Sequence, residues 1–251
     1  MLAENASIIE RLLAPLRDAI AATPKVATNG DANRLALMDV KVQDLRNMTR
    51  SDAFARGRSH GTRPIASVTA LGLHQTASGH IGPGHPRLLG VPAGAMVHQD
   101  GTVTLLHDFA ALVWHGHAIN RFSWGIEFDC REPGIAGLER TFWRTEDERK
   151  TGQKMADLVI PLTGAQVRAG CTLCAWAAFE LLKRGGKLRG IVAHRQGHKS
   201  RSSDPGSRIW QEVAEPMREE LLLEDMSHRK WGSGTLLPDV WTGIDRGVSY
   251  S

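Results

Sequence analysis

Residues 190–206 read GIVAHRQGHKSRSSDPG, and this stretch decides the fold. Gly190 to Ala193 continues a short apolar run of the kind used by a fully buried strand, and His194 stands at its end. A basic loop rich in serine follows, closed by the turn formers Asp204-Pro205-Gly206. Beyond the turn, Ile209, Val213 and Met217 recur four apart, as on one face of a helix. Upstream, Thr163 to Arg184 carries Val167, Cys171, Cys174, Ala178 and Leu181 on one face and stops at Gly185-Gly186, which predicts a long helix with a glycine terminator. A helix, a buried strand and a second helix in succession predict an α/β domain.

Working outward, ASVTALGLHQTAS from Ala66 is another apolar run bounded by small residues, and it predicts a second buried strand. MVHQDGTVTLL predicts a hairpin turning at Gln99-Asp100-Gly101, because Asp-Gly supplies the positive φ of a tight turn. FSWGIEFDC predicts a further strand. Ile9, Leu12, Leu13, Leu16 and Ile20 have helical spacing over residues 6–21, interrupted only by Pro15. Residues 1–62, with the turn formers Asn29-Gly30 and Arg56-Gly57-Arg58, therefore read as an N-terminal helical appendage. Residues 63–224 form the main domain, and 225–251 a glycine-rich tail carrying Trp231 and Trp241.

Composition sets outer limits. With 251 residues, 41% hydrophobic and 23% charged, the chain is long enough to bury a core and too apolar to be disordered. A net charge of +4 and a pI near 9.2 suit an anionic partner. The one dense basic run has no interleaved aromatics, so nucleic acid is not the expected partner. No window approaches the roughly 18 apolar residues of a membrane span. Glu4, Glu10 and Arg11 interrupt what would have to be an uncharged signal core, so the expected place of synthesis is the cytoplasm, and a role outside the membrane needs a holin-type lysis pore or another release route. Three cysteines are too few for a disulfide framework. The CxxC of Cys171 and Cys174 falls on the apolar stripe of the long helix and reads as core packing.

Three strand ends present groups able to share one site. Alternation along TALGLHQT puts His74 and Thr76 on one face and Leu71 and Leu73 on the other; along GIEFDC it sends Ile126, Phe128 and Cys130 to the core and Glu127 the opposite way. His194 closes the third strand and Asp204 follows ten residues later. Two imidazoles and a carboxylate from separate segments are what an open zinc site needs, with a further carboxylate nearby to take a proton from water. His198 competes as a ligand because it lies four residues from His194. Against it, Gly197 and the preceding strand disfavour a helix there, and Arg195 stands where HExxH requires glutamate.

The ordered fragments His74-Gln75-Thr76-Ala77-Ser78, HQDGTV, Trp114-His115-Gly116, GIEFD and AHR followed by SDPG resemble the zinc-dependent N-acetylmuramoyl-L-alanine amidases of the amidase-2 type, relatives of the peptidoglycan-recognition proteins, over roughly residues 64–210. The resemblance implies a mixed central β-sheet flanked by helices. It also implies Zn2+ held by His74, His194 and Asp204, with Glu127 as the catalytic glutamate. Many relatives carry a lysine two residues before the third ligand; here that position is Ser202, so the neighbouring Arg201, nearby Lys199 or Ser202 itself is expected to stabilise the oxyanion. Thr76, Trp114, His115 and Asn120 are expected to line the substrate groove.

The reaction so implied is hydrolysis of the amide between N-acetylmuramic acid and L-alanine, with peptidoglycan or its muropeptides as partner. A phage or prophage endolysin is the expected setting. A cytoplasmic amidase recycling soluble muropeptides, and a non-catalytic peptidoglycan-binding module, are the alternatives. Asp204 speaks against the last, since non-catalytic relatives commonly lose the third ligand.

Overall fold

The structure, a computed structural model, describes residues 40–48, 59–77 and 80–250. The expected helix over 6–21 and the turns at Asn29-Gly30 and Arg56-Gly57-Arg58 lie outside the described residues, as does Ser78. Among the described residues, eight strands follow in chain order: β1 (Val42–Asp44), β2 (Ser59–Thr62), β3 (Ala70–Gln75), β4 (Ala95–Val97), β5 (Val103–Leu105), β6 (Ala111–Val113), β7 (Ser123–Phe128) and β8 (Gly190–Ala193). Six of them form a mixed sheet in the order β1-β5-β4-β7-β3-β8, and β2 pairs with β6 in a separate ribbon. The centre of the sheet is parallel: β3 lies between β7 and β8, running the same way as both, and β4 runs parallel to β7. β4 and β5 are antiparallel, the hairpin turning at Gly101 with φ +83°.

Alternation divides the strands as expected. Leu71, Leu73, Ile126, Phe128, Ile191 and Ala193 face one side, where they pack against Leu173, Cys174, Ala177 and Leu181 of the long helix Gly164–Lys183. That helix begins at Thr163, whose side chain accepts from the Gln166 N–H while Gln166 reaches back to the Thr163 N–H, and ends before Gly185 at φ +80°. Cys171 and Cys174 are buried in this core, and burial pushes the Cys171 thiol up to about 12, so neither behaves as a reactive thiolate. Among the described residues, no helix is long and apolar enough to cross a membrane.

The helix after Gly206 is less regular than its sequence suggests. Ser207–Ile209 opens it, Trp210–Ala214 forms one wide π-type turn, and Glu215–Glu220 completes it. Pro216 explains the widening: it has no N–H to offer the carbonyl of Glu212, and its ring would strike that carbonyl in a regular helix. The freed Glu212 carbonyl instead faces the Cys171 thiol at 3.9 Å.

Both outer segments merge with the domain further than the expected boundaries allow. Residues 42–44, placed in the appendage by sequence, form the edge strand of the main sheet, β1 pairing with β5. In the tail, Trp241 is 1% exposed and belongs to the main core, while Trp231 packs with Phe122 beside Ala70, Ile119, Val192 and Met226. The division at residue 225 is therefore not a packing boundary.

Candidate functional site

β3, β7 and β8 point their C-terminal ends to the same edge of the sheet, where α/β folds commonly place their sites. His74 lies near the end of β3, Glu127 near the end of β7, and His194 directly follows β8. His74 and Glu127 are register partners, so both project from the face opposite the long helix. Asp204 arrives from the loop, preceded by Ser203 and followed by a cis peptide to Pro205.

His74, His194 and Asp204 each offer a donor atom within 4.8 Å of the others. His194 Nδ1 is 2.9 Å from His74 Nδ1 and 2.9 Å from Asp204 Oδ2. The other carboxylate oxygen, Oδ1, accepts the Gln75 backbone N–H at 3.0 Å, which fixes the plane of the carboxyl group. Gln75 also braces the loop through its side chain: Nε2 donates to the carbonyls of Ser203 and Glu132, and Oε1 accepts the Glu132 N–H.

Burial shapes the charge states. It holds His74 well below the ordinary histidine range, with the neighbouring His194 adding to the effect. His194 is lowered by burial and then by the positive charge of Arg201. Burial pushes Glu127 up to about 8, with the like charge of Asp204 contributing, and Asp204 up to about 6. Burial thus leaves two neutral imidazoles facing two carboxyl groups that it disfavours as anions, and Glu127 Oε2 is buried without a hydrogen-bond partner.

This donor set fits a divalent cation. One proton on His194 Nδ1 cannot satisfy both the His74 nitrogen and the Asp204 oxygen, whereas a cation between them accepts all three lone pairs. Zinc ligands at about 2.0–2.1 Å in tetrahedral geometry sit roughly 3.3 Å apart, and the two 2.9 Å contacts made by His194 Nδ1 lie within a few tenths of an ångström of that spacing. Two nitrogens and one carboxylate oxygen, with an unpartnered carboxylate at the side, form the donor set of an open zinc site.

The remaining predicted residues fall in different places. Arg201 is exposed at the rim, and its charge bears on His74, His194, Glu127 and Asp204. Ser202 is half-buried, its carbonyl accepting from Arg195 Nη1 at 2.6 Å. Among the candidates for the missing lysine, Arg201 is thus the one whose charge bears on the site. Thr76 is half-buried and donates to the Cys130 carbonyl, and Trp114 is 60% exposed. His115 and Asn120, expected to line the groove, are only 5% and 6% exposed. Asn120 Oδ1 accepts the Gly116 N–H, closing the loop on itself, while the Asn120 carbonyl accepts from Arg63. His115 lies beneath His74, its Nδ1 2.8 Å from His74 Nε2, and burial lowers it to about 3. Neither can meet a substrate from these positions.

Sequence reasoning missed the brace made by Gln75. It also missed His117, whose Nδ1 lies 3.0 Å from His194 Nε2 while its ring stacks on His198 with centroids 4.2 Å apart. His198 is thereby placed behind His194 rather than among the ligands. His117 has φ +56°, a left-handed backbone rarely adopted by non-glycine residues, and this local signal was not legible from residue type.

With this geometry in view, comparisons with known proteins add the family. Structures similar in fold include the endolysin N-acetylmuramoyl-L-alanine amidase LysCS from Clostridium intestinale URNW, at 11% identity and TM-score 0.46, covering 73% of this chain and 97% of that one. Drosophila peptidoglycan recognition protein SA has 14% identity and TM-score 0.43, covering 72% and 91%. Peptidoglycan recognition protein LE, solved with tracheal cytotoxin, has 13% identity and TM-score 0.44, covering 76% and 98%. No curated protein sequence matches the chain. The family profile described as N-acetylmuramoyl-L-alanine amidase matches residues 61–207, which span β3, β4, β5, β7, β8 and every residue of the site. The chain belongs to the amidase-2 family of N-acetylmuramoyl-L-alanine amidases.

Proposed function

We propose that this chain is a zinc-dependent amidase cleaving the bond between the lactyl group of N-acetylmuramic acid and the L-alanine of the stem peptide. The observation that carries the reading is the convergence of one ring nitrogen each from His74 and His194 and an Asp204 carboxylate oxygen within 4.8 Å, with the buried, unpartnered Oε2 of Glu127 on the neighbouring strand. His74, His194 and Asp204 would hold the ion. Zinc bound there supplies Lewis acidity, which lowers the pKa of a water from about 16 toward about 7 and polarises a carbonyl.

The protein's own groups do the rest. Glu127, made more basic by burial, takes the proton of the attacking water in its ionised form and returns it to the departing amine nitrogen. Gln75 keeps Asp204 in place through the turnover. Arg201 presents positive charge from the rim, where it can oppose negative charge developing on the carbonyl oxygen. Exposed Trp114 and half-buried Thr76 are the groups left to meet the glycopeptide.

The favoured setting is a phage or prophage endolysin, because a net charge of +4 suits an insoluble anionic wall polymer. The test is zinc analysis of the purified chain together with digestion of intact sacculi and of soluble muropeptides. Bound zinc with release of stem peptides from sacculi supports the endolysin reading. Activity confined to soluble fragments turns it to the recycling amidase, and zinc binding without cleavage turns it to the binding module.

A further inference from the structure

We propose that His115 is a positioning residue for His74: it fixes which nitrogen of that ring carries hydrogen, and at what tilt the bare Nδ1 faces Asp204 and His194. This rests on the metal reading above. The argument begins at a backbone atom. His115 Nε2 lies 3.1 Å from the Ser123 carbonyl oxygen, which can only accept. Ser123 Oγ, 3.3 Å from the same nitrogen, spends its own hydrogen on the Ile119 carbonyl and so also accepts. Nε2 of His115 therefore carries the hydrogen, which leaves a lone pair on Nδ1 of the neutral ring. That lone pair lies 2.8 Å from His74 Nε2, which must donate. A neutral His74 with its hydrogen on Nε2 has a bare Nδ1, the atom that sits 2.9 Å from His194 Nδ1. A carbonyl at the start of β7 thus dictates, through one intervening ring, the metal-binding tautomer at the end of β3.

The sheet is hollowed for this purpose. Gly72 of β3 and Gly125 of β7 are register partners. A Cβ at Gly125 would come within 2.6 Å of His115 Cγ, and one at Gly72 within 3.0 Å of His115 Cε1. Glycine weakens a strand interior, and a pair of them side by side marks a close approach by another group. Here the group is the His115 imidazole, lying across both strands and meeting the His74 ring edge-on, with the ring planes at 88°. The segment that delivers it, Trp114-His115-Gly116-His117, also brings His117 against His194 Nε2 from the solvent side.

The test uses the full chain. Zinc affinity is measured by chelator competition for the native protein, His115→Phe and His115→Gln, with thermal unfolding of the metal-free forms alongside. Phenylalanine occupies the same hollow but neither accepts nor donates. Glutamine can accept from His74 through Oε1 and donate to the Ser123 carbonyl through Nε2. The expected result is about a 10- to 100-fold loss of zinc affinity in His115→Phe, the usual range for a group supporting a metal ligand, and recovery of most of it in His115→Gln. Native affinity in a folded His115→Phe, or equal loss in both variants, overturns the proposal. A readout on the native protein removes dependence on how the variants fold: ring 15N NMR of the zinc-loaded chain should show hydrogen on Nε2 of both His74 and His115, and hydrogen on Nδ1 of either overturns it. A native chain that takes up no zinc fails the metal reading itself, a result distinct from normal zinc uptake with an indifferent His115.

Discussion

His74 and Glu127 are direct register partners on the parallel strands β3 and β7, so one pairing places the proposed metal ligand and the proposed proton acceptor on the same face at a fixed separation. The backbone ladder, not a mobile loop, sets their relation. Glu127→Gln preserves the volume and the strand while removing the acceptor. We expect zinc content to stay at the native level and kcat/KM to fall by about 10²- to 10⁴-fold, the usual worth of general acid–base catalysis. Turnover near the native value, measured on soluble muropeptide, would remove Glu127 from the mechanism.

His194 and Asp204 are coupled by a 2.9 Å contact and approach the site from opposite ends of one loop. A ligand that binds only the folded chain raises its stability by about 2.7 kcal/mol at one hundred times its dissociation constant. Zinc should therefore raise the unfolding temperature of the native protein clearly, and His194→Ala and Asp204→Ala should abolish the rise. An equal zinc-induced shift in all three proteins would place the metal elsewhere.

The carboxyl groups give the metal-free protein a pH dependence of defined sign. Glu127 titrates at an ordinary 4.5 when unfolded and at about 8 when folded; Asp204 moves from 3.8 to about 6. Between those limits the folded state holds protons that the unfolded state has released, so stability falls as pH rises. The penalty is absent below both ordinary values and complete above about 8. Buried His74, His115 and His194, held below the ordinary histidine range, act with the opposite sign around pH 6.5, so the carboxyl share is read by difference. In chelator-treated protein the unfolding temperatures of Glu127→Gln and Asp204→Asn should rise relative to native from pH 5 to pH 8. A native slope left unchanged by both substitutions would assign the pH dependence to other groups.

How far the sequence could be read follows from where each signal resides. His74, Glu127, His194 and Asp204 were legible because strand alternation and a Pro-Gly turn fix their direction locally. His115 was legible as a polar group beside an exposed tryptophan, but not as a buried one, because its burial depends on two glycines from separate strands that only the sheet brings together. The short segment at Val42–Asp44 was unreadable for the opposite reason: with its two outer residues exposed, it carries no apolar alternation and is a strand only because β5 offers a free edge. The wide turn at Trp210–Ala214 could have been anticipated, since Pro216 stands inside an otherwise regular helical pattern.

The hollow over Gly125 makes a prediction of its own. Gly125→Ala adds a Cβ where His115 Cγ would lie 2.6 Å away, closer than real contacts allow, so the ring must shift and its contact with His74 must lengthen. In a strand, alanine is otherwise no worse than glycine, so a backbone effect alone should not destabilise the protein. We expect Gly125→Ala to weaken zinc binding, and Gly72→Ala, at 3.0 Å from the ring tip, to weaken it less. Chelator competition on both variants checks the order; the reverse order would mean that the ring is held from another side.

The tail reaches the site through Arg195. Its side chain is 0% exposed, with the guanidinium 5.1 Å from the Trp241 ring centroid and 5.0 Å from that of Tyr250, while Nη1 donates to the Ser202 carbonyl in the loop that carries Arg201 and Asp204. Trp241 is itself fixed by its indole N–H, which donates to the Gly134 carbonyl at 2.6 Å. Removing the ring opens a cavity and strips one wall from a buried cation, so Trp241→Ala should cost about 3–5 kcal/mol. Trp241→Phe keeps an aromatic face for Arg195 and loses chiefly the hydrogen bond to the Gly134 carbonyl, which still accepts the Ser207 N–H, for about 0.5–1.5 kcal/mol. Chemical denaturation of the metal-free forms gives both numbers. Because the same arginine steadies the Asp204 loop, the alanine variant should also bind zinc more weakly at a temperature where it remains folded. A Trp241→Ala protein with native stability would show that the tail ring does not support Arg195 or the loop it holds.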